Sequence, residues 1–300
     1  MLDRLINPVR KDLGGFEVAR LLPAAQQRSV GPFVFFDHMG PAQFSEGAPR
    51  SADVRSHPHI GLATLTYLFD GEIMHRDSTG VEQGIRPGEV NWMIAGSGIS
   101  HSERFEGPLR MPGARIEGIQ AWIALPERDE ETDPGFVHVG AAGVPVIRDR
   151  GLTASLVAGA AFGRAEPFKT FSPLFYVHAA LETGASCPMP TGYSERGAYV
   201  VAGTITFEGR EYRKGDMLVF GNLGEPTLVA ITPSTVMLLG GEPLGPRHMW
   251  WNFVSSRKER IEQAKADWTA GRFKLPEHDD KEFIPLPDET RAPSPMSLVR

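Results

Sequence analysis

Two short pairs of side chains carry the donor atoms of a metal site in this sequence. The first is His57-Pro58-His59, and the second, 42 residues after its second histidine, is His101-Ser102-Glu103. Side chains alternate along an extended chain, so both members of each pair point to the same side of a strand. Two such strands facing each other would gather three imidazoles and one carboxylate around one point. That set suits a divalent first-row metal such as iron, and an octahedral ion would keep two positions open.

A hydrogen-bonded pair of strand histidines is the alternative interpretation of His57 and His59 taken alone. The second pair follows a glycine-rich turn and favours the metal site. Imidazole and carboxylate donors hold iron, manganese, nickel or zinc. A closed structural zinc site more often contains cysteine, and none lies near these residues. We therefore predict that His57, His59, His101 and Glu103 bind one transition metal.

Other polar residues admit two interpretations each. His75 and Asp77 form a third pair of period two, which fits either a hydrogen-bonded turn or the orientation of a metal-bound imidazole. Asp37-His38, at the end of an apolar run, offers the same choice. Trp92-Met93 suits core packing, with the lining of an aromatic substrate pocket as the alternative. Cys187 is the one cysteine, so no disulfide forms within the chain, and we interpret it as incidental.

The elements that must position these residues are predicted to be short strands. The 33 glycines and 25 prolines recur between runs of β-branched and aromatic residues, a pattern typical of a sandwich or barrel. The clearest strand candidates are residues 32–38, 63–69, 90–94, 116–125, 174–181, 198–207, 217–220 and 227–239.

One helix is predicted near the C-terminus. Ser256 and Glu259 have the spacing of a capping box, and Ile261, Ala264 and Trp268 share one face. The proline-rich segment beyond is predicted to be an extended tail.

An internal repeat relates the two halves. YLFDGEI at 67–73 parallels YVVAGTI at 199–205, and PGEV at 87–90 parallels KGDM at 214–217. A strand ending in a glycine turn, followed by a turn that opens another strand, indicates one barrel made twice. The positions of His57 and His59 fall at Met189 and Thr191, so we expect the second copy to be structural.

Composition limits the classes of function. A net charge of −6 and a pI near 5.9 argue against general binding to nucleic acid or to an anionic membrane. The N-terminal residues lack the apolar run of a secretory signal, and no stretch is long enough for a membrane helix. We expect a cytoplasmic protein.

Long motifs in the first half resemble the pirin family of the cupin superfamily. They are GPFVFFDH at 31–38, HPHIG at 57–61, HRDS at 75–78 and NWMIAGSGISHSE at 91–103. The resemblance is dense over residues 30–125 and continues more loosely to about residue 255.

The resemblance implies an all-β bicupin of two antiparallel, jelly-roll β-barrels with a short C-terminal helix. Residues 1–140 would form the metal-binding cupin domain, and residues 141–300 a degenerate cupin domain with the helix and tail. It also implies Fe(II) or Fe(III), other divalent metals being alternatives, held by His57, His59, His101 and Glu103. The chain departs from the general pattern at Ala63, where most members have glutamate.

Two functions follow from the resemblance. One is a dioxygenase acting on quercetin-like flavonols or related enolic or phenolic substrates, with Glu103 accepting the substrate hydroxyl proton. The alternative is a non-enzymatic, redox-dependent regulator whose partner is a transcription-related protein. A small aromatic substrate and a protein partner are therefore the two expectations, and the oligomeric state is left open.

Overall fold

The computed structural model describes residues 1–12, 15–165, 168–288 and 296–297, and its regular elements are almost all β-strands. The mainly-β prediction is confirmed. Among the described residues, no helix has the length and apolar character needed to cross a bilayer.

Twelve of the strands precede residue 140. They are β1 (Leu2–Ile6), β2 (Val9–Asp12), β3 (Glu17–Leu22), β4 (Phe33–Phe44), β5 (Val54–His59), β6 (Leu62–Asp70), β7 (Ile73–Asp77), β8 (Glu82–Ile85), β9 (Val90–Ile94), β10 (Ile99–Arg104), β11 (Ala114–Ala124) and β12 (Gly135–Val139).

The remaining strands follow residue 140. They are β13 (Val146–Asp149), β14 (Leu152–Ala161), β15 (Arg164–Ala165), β16 (Leu174–Leu181), β17 (Ser186–Pro188), β18 (Glu195–Ala202), β19 (Thr204–Phe207), β20 (Arg210–Arg213), β21 (Met217–Phe220), β22 (Thr227–Ala230), β23 (Ser234–Gly241), β24 (His248–Trp250), β25 (Phe253–Ser255) and β26 (Met296–Ser297). The α-helix α1 spans Lys258–Thr269, and short 3₁₀ turns lie at Arg50–Ala52, Gly107–Arg110, Glu127–Asp129 and Ala141–Gly143.

The strands of the described chain pair into open sheets. A large sheet has the order β1-β21-β18-β23-β16-β14-β13, with β15 on β14, and a second has the order β12-β9-β6-β11-β4-β3-β2. Smaller sheets have the orders β5-β10-β7-β8, β17-β22-β19-β20 and β25-β24-β26. Each sheet keeps two edge strands, so the structure does not confirm the predicted closure into barrels.

The chain divides into two compact units, each assembled from several segments. The histidine unit comprises Arg10–Val18, Phe35–Ala141 and Leu244–Arg300; the apolar unit comprises Met1–Val9, Ala19–Val34 and Ala142–Pro243. Helix α1 lies in the histidine unit. The predicted domains, residues 1–140 and residues 141–300, stay a prediction.

The internal repeat is confirmed by matching hydrogen bonds. The amide of Gly88 donates to the carbonyl of Leu68 at 3.2 Å, and the amide of Gly215 donates to the carbonyl of Val200 at 2.9 Å. Both glycines have positive φ, +80° and +100°, where glycine adopts the turn without a Cβ clash. The residue after each glycine is acidic, and its carboxylate accepts a hydrogen bond from the backbone amide three positions earlier. Arg86 donates to Glu89 in the first copy and Arg213 donates to Asp216 in the second, both at 2.8 Å.

The apolar unit has a hydrocarbon interior. Aliphatic and aromatic side chains from its strands form one buried cluster, which also contains Met189 and Cys187. Burial raises the pKa of the Cys187 thiol to about 12. This agrees with the prediction that the cysteine is incidental.

The helix α1 buries the face that the sequence predicts. Ile261, Ala264 and Trp268 are its buried residues. The predicted capping box is wrong, because the N-cap is Arg257 and makes no side-chain cap. The hydroxyl and amide of Ser256 are instead bonded to the carboxylate of Glu130, at 2.8 and 2.9 Å.

Candidate metal centre

The predicted ligand strands pair with each other. β5 and β10 are antiparallel neighbours in which His101 lies opposite His57, and Ile99 lies opposite His59. Because His57 and His59 are two residues apart, their imidazoles share the face that His101 also occupies. One ring nitrogen from each histidine lies within 4.8 Å of one from each of the others. His57, His59 and His101, which follows His59 by 42 residues, thus form one buried cluster.

The ring nitrogens of this cluster are left available for a metal. Nδ1 of His57 donates to the carbonyl of Arg55 at 2.8 Å, which leaves Nε2 with its lone pair. Nε2 of His101 is buried and makes no hydrogen bond. The ring of His59 interacts with the backbone of Asn252, which leaves its other ring nitrogen without a hydrogen bond. Buried polar atoms normally find partners, so these nitrogens fit an ion that imidazole binds, such as iron, nickel, copper or zinc.

Burial keeps the three imidazoles neutral. Desolvation lowers the pKa of His57 to about 4, although its hydrogen bond with Arg55 acts in the opposite direction. The pKa values of His59 and His101 lie well below 6.5, mainly through desolvation and secondly through repulsion by His57. Neutral imidazole is the form that binds metal, so these rings need not lose a proton before they bind an ion.

Glu103, the fourth predicted ligand, follows His101 by two residues on β10. Among the described residues, the mutually close donor atoms come from the three histidines. The register of β10 against β5 shifts between His101 and Glu103, and this irregularity places Glu103 opposite Val54. Burial raises the pKa of the Glu103 carboxyl to about 7, and a hydrogen bond with Thr66 partly offsets that effect. The sequence-predicted role of Glu103 as a fourth ligand therefore remains a proposal.

Two aromatic residues, which the sequence analysis did not single out, stand beside the histidines. The ring of Trp122, on β11, meets His59 edge-on with centroids 5.1 Å apart and stacks on Phe35 at 4.0 Å. In the sequence they are simply aromatic residues within predicted apolar strands, and nothing there distinguishes them from core residues. Trp92 and Met93, which were offered as core or pocket residues, are both 1 % exposed and pack in the core.

The two other predicted polar pairs have different surroundings. His75 and Asp77 lie on β7, which pairs with β10, and His75 reaches His101. His38 contacts Glu117 at 3.2 Å and meets Phe69 edge-on. Phe69 is three residues from Thr66, so it points to the opposite face of β6 from the hydroxyl that meets Glu103. The side chain of His38 therefore lies on the other side of that strand, whereas Asp37, two residues from Phe35 on β4, shares the face of Phe35.

Ala63 occupies a closed position in the same strand. It is fully buried and paired with Ile94 on β9 and Ile123 on β11. Since it too is three residues from Thr66, its Cβ points away from the face that meets Glu103. Alanine at this position therefore removes no group from the side of β6 that faces Glu103.

The chain is similar to known proteins along most of its length. A family model described as Pirin matches residues 15–123, and one described as the Pirin C-terminal cupin domain matches residues 176–274. A pirin-like protein of Caulobacter vibrioides is 58% identical over 289 residues, which are 96% of this chain and 100% of that protein. A candidate quercetin 2,3-dioxygenase of Pseudomonas aeruginosa is 37% identical over 90% of this chain and 84% of its own.

A solved structure matches the fold at similar coverage. The crystal structure of a quercetin 2,3-dioxygenase from Acinetobacter baumannii superposes with a TM-score of 0.86 and 32% sequence identity, covering 96% of this chain and 97% of the other.

Proposed function

Because the chain belongs to the pirin family and has its bicupin fold, we propose that it is an iron-dependent dioxygenase. Its substrates would be quercetin-like flavonols or related enolic and phenolic compounds. The observation that carries the proposal is the convergence of three buried imidazoles, each with a ring nitrogen that makes no hydrogen bond. The names of the Pseudomonas and Acinetobacter relatives support the substrate class.

Glu103 is proposed to act in two ways. It would supply the fourth ligand, together with His57, His59 and His101. On leaving the metal, its carboxylate would also accept the proton of a substrate hydroxyl. An iron ion held there would supply Lewis-acid polarisation of the substrate oxygen.

Trp122 and Phe35 are proposed to orient the substrate. Their stacked rings stand against His59, so a flat aromatic compound reaching the cluster meets an apolar wall on that side. Apolar walls with a few convergent polar groups are typical of small-molecule sites. The wall also limits the access of water to His59.

Oxygen consumption tests the proposal. Protein reconstituted with iron under anaerobic conditions is mixed with oxygenated buffer and quercetin, and uptake is followed with an electrode. We expect uptake in the wild type, none above background in His101→Ala, and wild-type uptake in His278→Ala, which changes an exposed histidine. Absence of uptake across a panel of flavonols and enolisable phenols, with iron shown to be bound, contradicts the proposal.

That negative result would favour the alternative of a redox-dependent regulator with a protein partner. The proposal includes a cytoplasmic location, which cell fractionation tests. A buried, unreactive thiol such as Cys187 is compatible with a reducing compartment.

A further inference from the structure

A buried chain of side chains leads from His101 to a carboxylate. Nδ1 of His101 lies 3.3 Å from Nδ1 of His75, and Nε2 of His75 lies 3.0 Å from Oδ2 of Asp77. His75 and Asp77 lie on β7, and in the pairing of β7 with β10 His101 stands directly opposite Asp77. His101 and Asp77 are each 1 % exposed and His75 is 5 % exposed. The three side chains therefore interact with little competition from water.

The chemistry of these groups fixes the direction of each hydrogen bond. Burial acts to raise the pKa of Asp77, but hydrogen bonds from His75 and Thr79 outweigh it, so the pKa is lowered and the group is ionised. An ionised carboxylate only accepts, so Nε2 of His75 donates. With the proton of its ring on Nε2, directed at Asp77, His75 presents the lone pair of Nδ1 to Nδ1 of His101, 3.3 Å away, and accepts from it. His101 is left with its proton on Nδ1 and its lone pair on Nε2.

We propose that Asp77 and His75 form a positioning relay that holds His101 in the tautomer whose Nε2 faces His57 and His59. The relay rests on the proposed function only in its purpose, which is to present a metal ligand. His57 obtains the same tautomer from a backbone carbonyl, that of Arg55. For His101 the acceptor comes from a side chain, which is itself oriented by Asp77. Partners of this kind orient metal ligands in many sites.

The relay is held rigid from two sides. The ring of His75 stacks on Phe136 with centroids 4.6 Å apart and an angle of 28° between the planes. The carboxylate of Asp77 is fixed through its other oxygen, because Oδ1 accepts from the hydroxyl and the amide of Thr79 at 2.6 and 2.8 Å. Oδ1 thus shapes the turn after β7, while Oδ2 serves His75. The two roles of Asp77 are therefore separable by mutation.

Asp77→Asn is the discriminating variant. Its amide oxygen keeps the turn bonds to Thr79, while its NH₂ group replaces Oδ2. Nε2 of His75 must then accept, so Nδ1 of His75 carries a proton and Nδ1 of His101 must accept in turn. The proton of His101 moves to Nε2, the nitrogen that a metal needs. Thr79→Val is the matched control, because it removes a bond to Oδ1 and leaves the relay intact.

The first measurement uses metal-free protein and ¹⁵N NMR of the histidine rings. We expect His101 protonated on Nδ1 in the wild type and Thr79→Val, and on Nε2 in Asp77→Asn. An unchanged His101 tautomer in Asp77→Asn overturns the relay. If that variant fails to fold, His75→Phe takes its place. It keeps the stack on Phe136 but gives His101 no acceptor, and we expect it to lose the single Nδ1–H tautomer. A retained Nδ1–H tautomer contradicts the relay.

The second measurement is the affinity for Ni²⁺, used as an air-stable probe, in a chelator competition assay. We expect Asp77→Asn to bind Ni²⁺ about 10- to 100-fold more weakly and Thr79→Val to bind it as the wild type does. Equal weakening in both variants would assign the effect to the turn and overturn the relay. Wild-type protein that bound no metal would contradict the proposed function, while the NMR measurement would still decide the relay.

Discussion

Arg104 binds the carboxylate of Asp279, 175 residues further along the chain, through two hydrogen bonds of 2.7 and 2.6 Å. The same carboxylate accepts from the hydroxyl of Ser102 at 2.5 Å, and the Asp279 carbonyl accepts from Ser56 at 2.9 Å. Ser102 and Ser56 alternate with His101 and His57 along β10 and β5. Asp279 therefore binds the face of β5 and β10 that is opposite to the face carrying the histidines.

Asp279→Asn is expected to lower the free energy of unfolding by about 2 kcal/mol at pH 7, because it removes a charged partner of the partly buried Arg104. Burial acts to raise the pKa of Asp279, but Arg104 and Ser102 outweigh it and the pKa is lowered. The stabilisation is therefore present above the unfolded-state pKa near 4 and is lost as pH falls through the folded-state value.

Urea unfolding at pH 7 and at pH 3 checks this prediction. The difference in the free energy of unfolding between the wild type and Asp279→Asn should be smaller at pH 3 than at pH 7. Glu282→Gln is the control, since Glu282 meets Arg104 at only 3.5 Å from an exposed position, and it should change stability by less than about 0.5 kcal/mol. A gap that stays constant with pH would argue against the ion pair.

Glu103→Gln is expected to stabilise the metal-free protein at pH 8. Burial raises the pKa of Glu103 to about 7, so ionisation costs folding free energy as pH rises from the unfolded-state value near 4.5 to 7. Above pH 7 the cost is constant, and the partial exposure of the side chain reduces it to about 1–2 kcal/mol.

Unfolding in the presence of a chelator tests the sign. The variant should match the wild type at pH 5 and exceed it at pH 8. In the presence of Ni²⁺ the order should reverse, because Glu103 is proposed as a ligand and its carboxylate is lost. A variant that binds Ni²⁺ as tightly as the wild type would remove Glu103 from the ligand set.

Gly61→Ala is expected to destabilise the protein by about 3 kcal/mol or more and to weaken metal binding. Gly61 has φ +69° and follows His59 by two residues, and a Cβ there would overlap the carbonyl oxygen of Val254. Relief of that clash requires backbone movement beside the ligand strand. Gly80→Ala is the comparison, because its φ is also positive but no atom lies within 4 Å of the added Cβ. Equal losses in the two variants would show that φ strain alone is responsible.

Cys187 is expected to resist thiol reagents in the native protein. It has no exposed surface, and its pKa near 12 leaves almost no thiolate at pH 8. Labelling with a disulfide reagent should be undetectable until denaturant is added and should then reach one thiol per chain. Rapid labelling of the native protein would mean that this part of the apolar unit opens readily.

Alternation along extended chain was enough to predict that His57, His59 and His101 meet. It could not predict the register irregularity that places Glu103 opposite Val54, since that depends on the partner strand. The sequence also predicts that His75 and Asp77 lie on the same face of one strand. Their contact with His101 could not be predicted, because it depends on the pairing of β7 with β10. Sequence patterns describe one strand at a time, whereas these features are set by partner strands.

Turns and long-range contacts account for the other differences. The predicted strand over 198–207 is two strands, β18 and β19, because Gly203 turns the chain with φ +82°. The capping box failed because Ser256 is bonded to Glu130, which the chain folds against it from 126 residues away. Local spacing carries no information about a partner so distant.

The interior of the apolar unit shows what this repeated motif does without a ligand to hold. Met189, at the position that the repeat gives to His57, is buried among hydrocarbon side chains. In the histidine unit that place belongs to imidazoles, which gain little from contact with each other. A bound ion would therefore stand in for hydrocarbon packing at that one place in the histidine unit, whose other buried clusters are apolar. A chelator would then act like a core truncation confined to that unit, and hydrogen exchange should accelerate there first.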